Sequence, residues 1–129
     1  MVVGLGMDLC QIERMGKSLE SPAFWQRVFG PQERAALKAL SPHRRAESAA
    51  ACFAAKEAFL KAAGVGLGGF ALAEIEALRR EGGAPFYALS GSAEAWAKAQ
   101  GITPWLTLTH EGGMAGAVAL FEKNASGGD

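Results

Sequence analysis

Cysteine, net charge and long apolar runs are all scarce in this chain, and each scarcity excludes a class of protein. Only two cysteines occur, Cys10 and Cys52, with no framework spacing and no metal-site companions. They read as reduced, small core residues of a cytoplasmic protein rather than as a disulfide scaffold. Lys+Arg and Asp+Glu each number 13, which leaves no global field to hold nucleic acid. No apolar run approaches the ~20 residues that span a bilayer, so no membrane association is expected. The first residues lack a basic n-region and place Asp8 where a signal peptide would be apolar, which also leads us to expect a cytoplasmic protein. Internal repeats and linkers are absent too.

What is present is a chain of 129 residues, 50% hydrophobic and 20% charged, long enough for one domain with a real core. Its charge is unevenly placed. Arg14, Lys17, Arg27, Arg34, Lys38, Arg44 and Arg45 face only Glu13, Glu20 and Glu33 in the first third. That local excess suits an acidic partner; a merely solvated helical face is the alternative.

Val2 to Ile12 reads as a buried strand, with Gly4 and Gly6 permitting close backbone approach. Ser21-Pro22, Gly30-Pro31 and Ser41-Pro42 are helix starts, the last opening a long helix to about Ala63 that Gly64 stops. A glycine-rich loop, Val65 to Gly69, follows. Ala73–Arg80 and Pro85–Leu89 form a hairpin, Ser90 or Ser92 caps a helix to Gln100, and Trp105–Thr109 with Ala115–Glu122 form a second hairpin. Helices first, then strands with one helix, predict an α+β class: a single small domain over 1–123, with one long central helix, short helices and antiparallel strands. Residues 124–129 are a polar, glycine-rich tail expected to fray.

The most informative stretch is Phe53-Ala54-Ala55-Lys56-Glu57-Ala58-Phe59-Leu60-Lys61-Ala62, where three charges sit in an otherwise apolar helix. At about 100° per residue, Glu57 and Lys61 are neighbours at the border of the apolar face and Lys56 falls within it. An i,i+4 ion pair with a snorkelling Lys56 accounts for this at the level of ordinary helix chemistry. A second account draws on Asp8, a lone acid in an apolar strand. Two carboxylates with open coordination positions suit Mg2+, which keeps sites for phosphate and water. Gly64, Gly66 and Gly68 could offer backbone N–H groups to phosphates, or be a flexible turn; they follow a helix and so match no P-loop. His110, between an apolar strand and glycines, is either structural or a phosphate donor.

Three segments together resemble a known family. Gly4-Leu5-Gly6-Met7-Asp8 through Arg14 looks like a G-x-G-x-D-x-x-x-x-x-R opening; Phe53 to Ala62 is similar to an F-A-A-K-E-A-x-x-K-A signature; Leu106-Thr107-Leu108-Thr109-His110 resembles a strand ending in Ser/Thr-His. Their order and spacing resemble the bacterial holo-[acyl-carrier-protein] synthases, the small trimeric class of 4′-phosphopantetheinyl transferases, over essentially the whole chain. The resemblance implies the 4′-phosphopantetheinyl transferase-like fold. It also implies transfer of phosphopantetheine from coenzyme A to a serine of apo acyl carrier protein, with release of 3′,5′-ADP, in fatty acid biosynthesis. Asp8 and Glu57 would ligate Mg2+ at the coenzyme A pyrophosphate. Lys61 would contact the same phosphates and stabilise the leaving group, with Lys56 beside them. Gly64, Gly66 and Gly68 would wrap the nucleotide end, and Arg44, Arg45 and His110 would lie near the adenosine 3′-phosphate. Arg14 would grip the carrier protein, and the active form would be a homotrimer with sites at subunit interfaces. The base would be Glu57 or a water held near Asp8.

Two positions depart from the pattern. Cys52 stands where the family often has Arg, and Glu111 follows His110 where a small polar or basic residue is usual. Both would weaken phosphate contacts. A non-catalytic binder of coenzyme A or carrier protein, and a purely structural oligomerisation domain, are the other readings of the same residues.

Overall fold

The computed structural model describes residues 1–66 and 68–125. Leu67 of the glycine-rich loop and residues 126–129 of the expected tail lie outside the described residues. The elements run β1 (Val2–Gln11), α1 (Ile12–Ser18), α2 (Pro22–Val28), α3 (Pro31–Lys38) and α4 (Pro42–Ala63). A 3₁₀ turn (Leu72–Glu74) leads into β2 (Ile75–Arg79), β3 (Pro85–Leu89), α5 (Gly91–Gln100), β4 (Ile102–Glu111) and β5 (Met114–Lys123). This is the expected α+β arrangement.

Local chemistry explains the helix boundaries. Ser21 accepts the Phe24 N–H at 3.2 Å ahead of Pro22, and Glu33 reaches back to the Gly30 N–H at 3.0 Å ahead of Pro31. Gly64 ends α4 in the left-handed region at φ 76°, which lets Val65 donate back to Leu60 O. Helix α1 does not figure in the sequence reading. Its N-cap is Gln11, with no side-chain bond, so no start signal marks it.

β5 is the central strand of an antiparallel sheet ordered β1-β5-β4, while β2 and β3 form a separate hairpin. Asp8, Ala117 and Leu108 share one rung, and Cys10, Ala115 and His110 share another. Helix α4 lies across the face that carries Gly4, Gly6 and Asp8. A Cβ on Gly4 would meet Ala62 O at 2.5 Å, and one on Gly6 would run into Ala58 O, so backbone touches backbone here. Below α4, Phe59 packs edge-on against Phe121 at 4.8 Å and Tyr87 at 5.2 Å. Burying such aromatics is the main source of core stability.

The expected burial of β1 holds for one face only. Val3, Leu5, Met7 and Leu9 point away from α4 and are exposed, Leu5 at 65%, together with Trp105 of β4. The reason is the period of two along a strand: α4 covers alternate residues, and no element among the described residues covers the others. Asn124, the first residue of the expected tail, donates its N–H to Gly101 O and accepts from Thr103 Oγ1. Among the described residues no helix is long and apolar enough to cross a membrane.

Candidate active site

The carboxylate of β1 and the charges of α4 meet because Gly4 and Gly6 bring the strand against the last turns of the helix. Lys61 Nζ donates to Asp8 Oδ1 at 2.9 Å and to Met7 O at 3.0 Å. The i,i+4 ion pair with Glu57 expected from helical spacing is not among the ion pairs of the described residues; the strand carboxylate takes the ammonium instead. Glu57 is half-buried on the same side. Burial raises its pKa above the ordinary carboxylate value, the Asp8 charge raises it further, and Lys61 acts in the opposite sense. Two carboxylates thus lie near one ammonium that bonds Asp8 but not Glu57, an excess of negative charge at a site whose Lys61 side chain is 55% exposed and Asp8 side chain 21%.

This donor set fits a hard divalent cation. Among the described residues no group of three or more His, Cys, Asp and Glu is placed to hold a metal. A two-carboxylate site leaves positions for phosphate oxygens and water, which is the Mg2+ pattern. Gly64 and Gly66 follow directly after Lys61, and Gly68 has a positive φ of 92° with open space around it.

Lys56 is elsewhere. It is 0% exposed, and Nζ donates to Glu33 Oε1 at 2.6 Å, Ile75 O at 2.7 Å and Leu72 O at 3.1 Å. All three ammonium protons are used, which corrects the expectation that it lies beside the phosphates. The neighbouring residues 56 and 57 project about 100° apart, one into the core and one to the site. Glu33, its partner, was not singled out in the sequence; the one local signal is its place three residues after Gly30, and the pairing itself spans 23 positions.

The other end of α4 carries a second group. Glu47 lies ten positions before Glu57, about 15 Å along the axis. There Glu47 Oε2 stands 3.7 Å from His43 Nε2 and 4.0 Å from His110 Nδ1. These side chains line an open cavity of about 710 Å³ with Gln11, Glu13 and Glu111. Arg44 is exposed. Arg45 is committed to the end of α3, donating to Leu37 O, Lys38 O and Leu40 O. One chain therefore does not bring Arg44, Arg45 and His110 together with Asp8, Glu57 and Lys61. Glu47 is the site-lining residue that sequence reasoning missed, since its contact to His110 is made only by folding.

The departures have physical readings. Cys52 is buried, donates to Ala77 O at 3.5 Å, and burial pushes its thiol up to about 12, so it offers nothing to a phosphate. Glu111 adds a third carboxylate to the cavity of His110 and makes that cavity acidic. Arg14 is exposed on α1, at the edge of a cavity of about 370 Å³ shared with Cys10, Met15, Phe24, Phe53 and Met114.

Comparison with known proteins gives the same direction. Residues 4–106 match the model of the 4′-phosphopantetheinyl transferase superfamily. The chain is 40% identical to the holo-[acyl-carrier-protein] synthase of Myxococcus xanthus, covering 92% of this chain and 94% of that one. It is 41% identical to the same protein of Desulforudis audaxviator, over 93% and 92%. Among solved structures, holo-[acyl-carrier-protein] synthase from Neisseria meningitidis superposes with a TM-score of 0.84 at 28% identity, covering 95% of this chain and all of that one. The Bacillus anthracis enzyme, in complex with CoA (3′,5′-ADP), superposes at 0.82 and 30% identity, over 96% and 99%. With its two-carboxylate site, its fold and these relatives, the chain belongs to the holo-[acyl-carrier-protein] synthase family of the 4′-phosphopantetheinyl transferase superfamily.

Proposed function

We propose that the protein transfers 4′-phosphopantetheine from coenzyme A to a serine of apo acyl carrier protein, releasing 3′,5′-ADP, as a Mg2+-dependent step serving fatty acid biosynthesis in the cytoplasm. The observation that carries this reading is the meeting of Asp8, Glu57 and Lys61 from two elements distant in sequence. Bound Mg2+ would neutralise charge on the phosphoryl oxygens, with Asp8 and Glu57 as its protein ligands. Lys61, half in solvent, is free to turn from Asp8 to a phosphate oxygen and stabilise the leaving 3′,5′-ADP. Gly64, Gly66 and Gly68, in the loop that follows Lys61, would offer backbone N–H groups to the phosphates; a Cβ on any of them would meet nothing within 4 Å. The solved relative holding CoA (3′,5′-ADP) supports coenzyme A as the donor.

The active form is a homotrimer with its sites between subunits. Two features support this: the uncovered apolar row of β1, and the ~15 Å along α4 that separates Glu57, beside Asp8, from Glu47, beside His110. Arg44 and His110 of one subunit then serve the nucleotide end at the Asp8 group of the next. Arg14, exposed in the basic first third, receives the acidic surface of the carrier protein.

Mass spectrometry of apo carrier protein incubated with coenzyme A, Mg2+ and this enzyme tests the proposal. The carrier should gain the mass of one phosphopantetheine, and omission of Mg2+ should abolish the gain. Binding of coenzyme A without any added mass on the carrier would reduce the protein to a non-catalytic binder.

A further inference from the structure

Lys56 is the long, fully buried side chain that precedes Glu57 in α4, and the proposed reaction leaves it without a task. The rest of that buried surface is smooth. Ala50, Ala51, Ala54, Ala55 and Ala58 are all buried, and the backbone of Gly4 and Gly6 meets the helix at Ala58, Lys61 and Ala62. Methyl groups allow close approach but give low ridges, and ridges are what set the rotation of a packed helix. Phe59 and Leu60 key the helix after Glu57. Before Glu57, the partly buried Phe53 stacks on Phe24 and Lys56 is the one long side chain that is fully buried.

Its fixings are rigid. The three ammonium protons meet three acceptors, on Glu33, Leu72 and Ile75. Glu33 is itself held by the N–H groups of Gly30 at 3.0 Å and Ala77 at 2.8 Å, and its own N–H donates to the buried Glu76 Oε2 at 2.8 Å. The lock therefore joins α4 to the first turn of α3 and to β2.

We propose that Lys56 is a positioning residue: by anchoring α4 to Glu33 and to the Leu72 and Ile75 carbonyls, it fixes the rotation of the helix about its own axis and so aims Glu57 at Asp8. The leverage is large, since a ~20° turn of a helix moves groups at its outer radius by about 2 Å. A Mg2+ site tolerates far less than that in its ligand distances. The inference rests on Asp8 and Glu57 being the cation ligands.

The test uses Mn2+ as a paramagnetic stand-in, with free ion counted by electron spin resonance, alongside steady-state kinetics well below the melting temperature. Lys56→Met/Glu33→Gln removes both charges at once, a change that buried pairs often tolerate. The folded double variant should lose at least ~10-fold in Mn2+ affinity, as for other groups that orient a metal ligand. Its kcat should fall by at least as much, while KM for coenzyme A shifts by less than ~3-fold. A double variant that folds, binds Mn2+ and turns over like the parent would make Lys56 a core ion pair and nothing more. If the double variant fails to fold, Glu33→Gln alone decides, because its amide NH2 faces the Ala77 N–H that Glu33 Oε2 accepts and so loosens the anchor of Lys56. A ~10-fold loss of Mn2+ affinity there, with KM for coenzyme A nearly unchanged, supports positioning; parent-like affinity overturns it. Equal Mn2+ binding by the parent and Asp8→Asn would remove the cation site itself, and the inference with it.

Discussion

Asp8 and Glu57 face a single ammonium that only Asp8 bonds, and that imbalance decides what substitutions do. Asp8→Asn or Glu57→Gln removes transition-state charge stabilisation and should cut turnover at least ~100-fold. The folded state should survive both. Glu57→Gln should melt no lower than the parent without Mg2+, because its carboxylate is held in a place where burial and Asp8 penalise the charge. Added Mg2+ should raise the melting temperature of the parent by mass action and leave the variants unmoved. Near-parent rates at limiting Mg2+ in both variants would end the assignment. Cys52 gives a prediction of another kind. Its thiol is pushed from 9.0 up to about 12 by burial, so the unfolded chain loses this proton from about pH 9 while the native state keeps it. The native state then binds more protons across that window, and stability falls as pH rises, by at most about 1.4 kcal/mol per pH unit. Tyr87, raised by burial and bonded to Ala55 O at 2.6 Å, adds the same trend at higher pH. Urea midpoints between pH 8.5 and 10 should drop in the parent and drop less in Cys52→Ala. Parallel profiles would show that the thiol does not control the alkaline limb.

Among the elements, the contact of α4 with β1 is the one on which the site depends. Gly6→Ala would force its methyl group into the Ala58 carbonyl, and backbone cannot step aside as a side chain tip can. We expect a loss of about 2 kcal/mol or more from such overpacking, together with weaker Mg2+ binding as β1 moves off the helix. Gly16→Ala is the control: its Cβ would find Ala46 Cβ at an ordinary 3.8 Å, and a helix gains roughly 0.5–1 kcal/mol from the change. Urea unfolding of the two variants checks the sign of each; a Gly6→Ala protein as stable as the parent would mean the two backbones can separate. The start of α4 at Ser41-Pro42 and its end at Gly64 were legible in the sequence, because capping chemistry lies within a few residues. Helix α1, which begins without a cap, was not. Within the site, Asp8, Glu57 and Lys61 stood out as charges in apolar runs. The direction of Lys61 did not, because helical spacing offers Glu57 while only the pairing of β1 under α4 brings in Asp8. Lys56 misled for the same reason. A buried charge announces that it has a partner, but Glu33 lies on another helix.

At the scale of the whole molecule, the sheet has an apolar face that none of the described residues covers. In the proposed trimer that face is interior, so Met7→Glu should leave the monomer folded, with the new charge in water, yet shift sedimentation from trimer to monomer. Activity should fall with the trimer fraction, since one chain keeps the Asp8 and His110 groups apart. An active monomer would refute sites shared between subunits. The sheet has a further property, one of timing. Among the described residues β1 pairs only with β5, so β1 has no partner strand until Met114–Lys123 has left the ribosome. At roughly 5–20 residues per second, that leaves Leu5, Met7 and Leu9 waiting for seconds with neither strand edge satisfied. Pairings of such sequence separation also form slowly. The nascent chain is therefore most vulnerable to sticking to its neighbours just before its last strand appears, and a chain truncated within β5 would remain in that state.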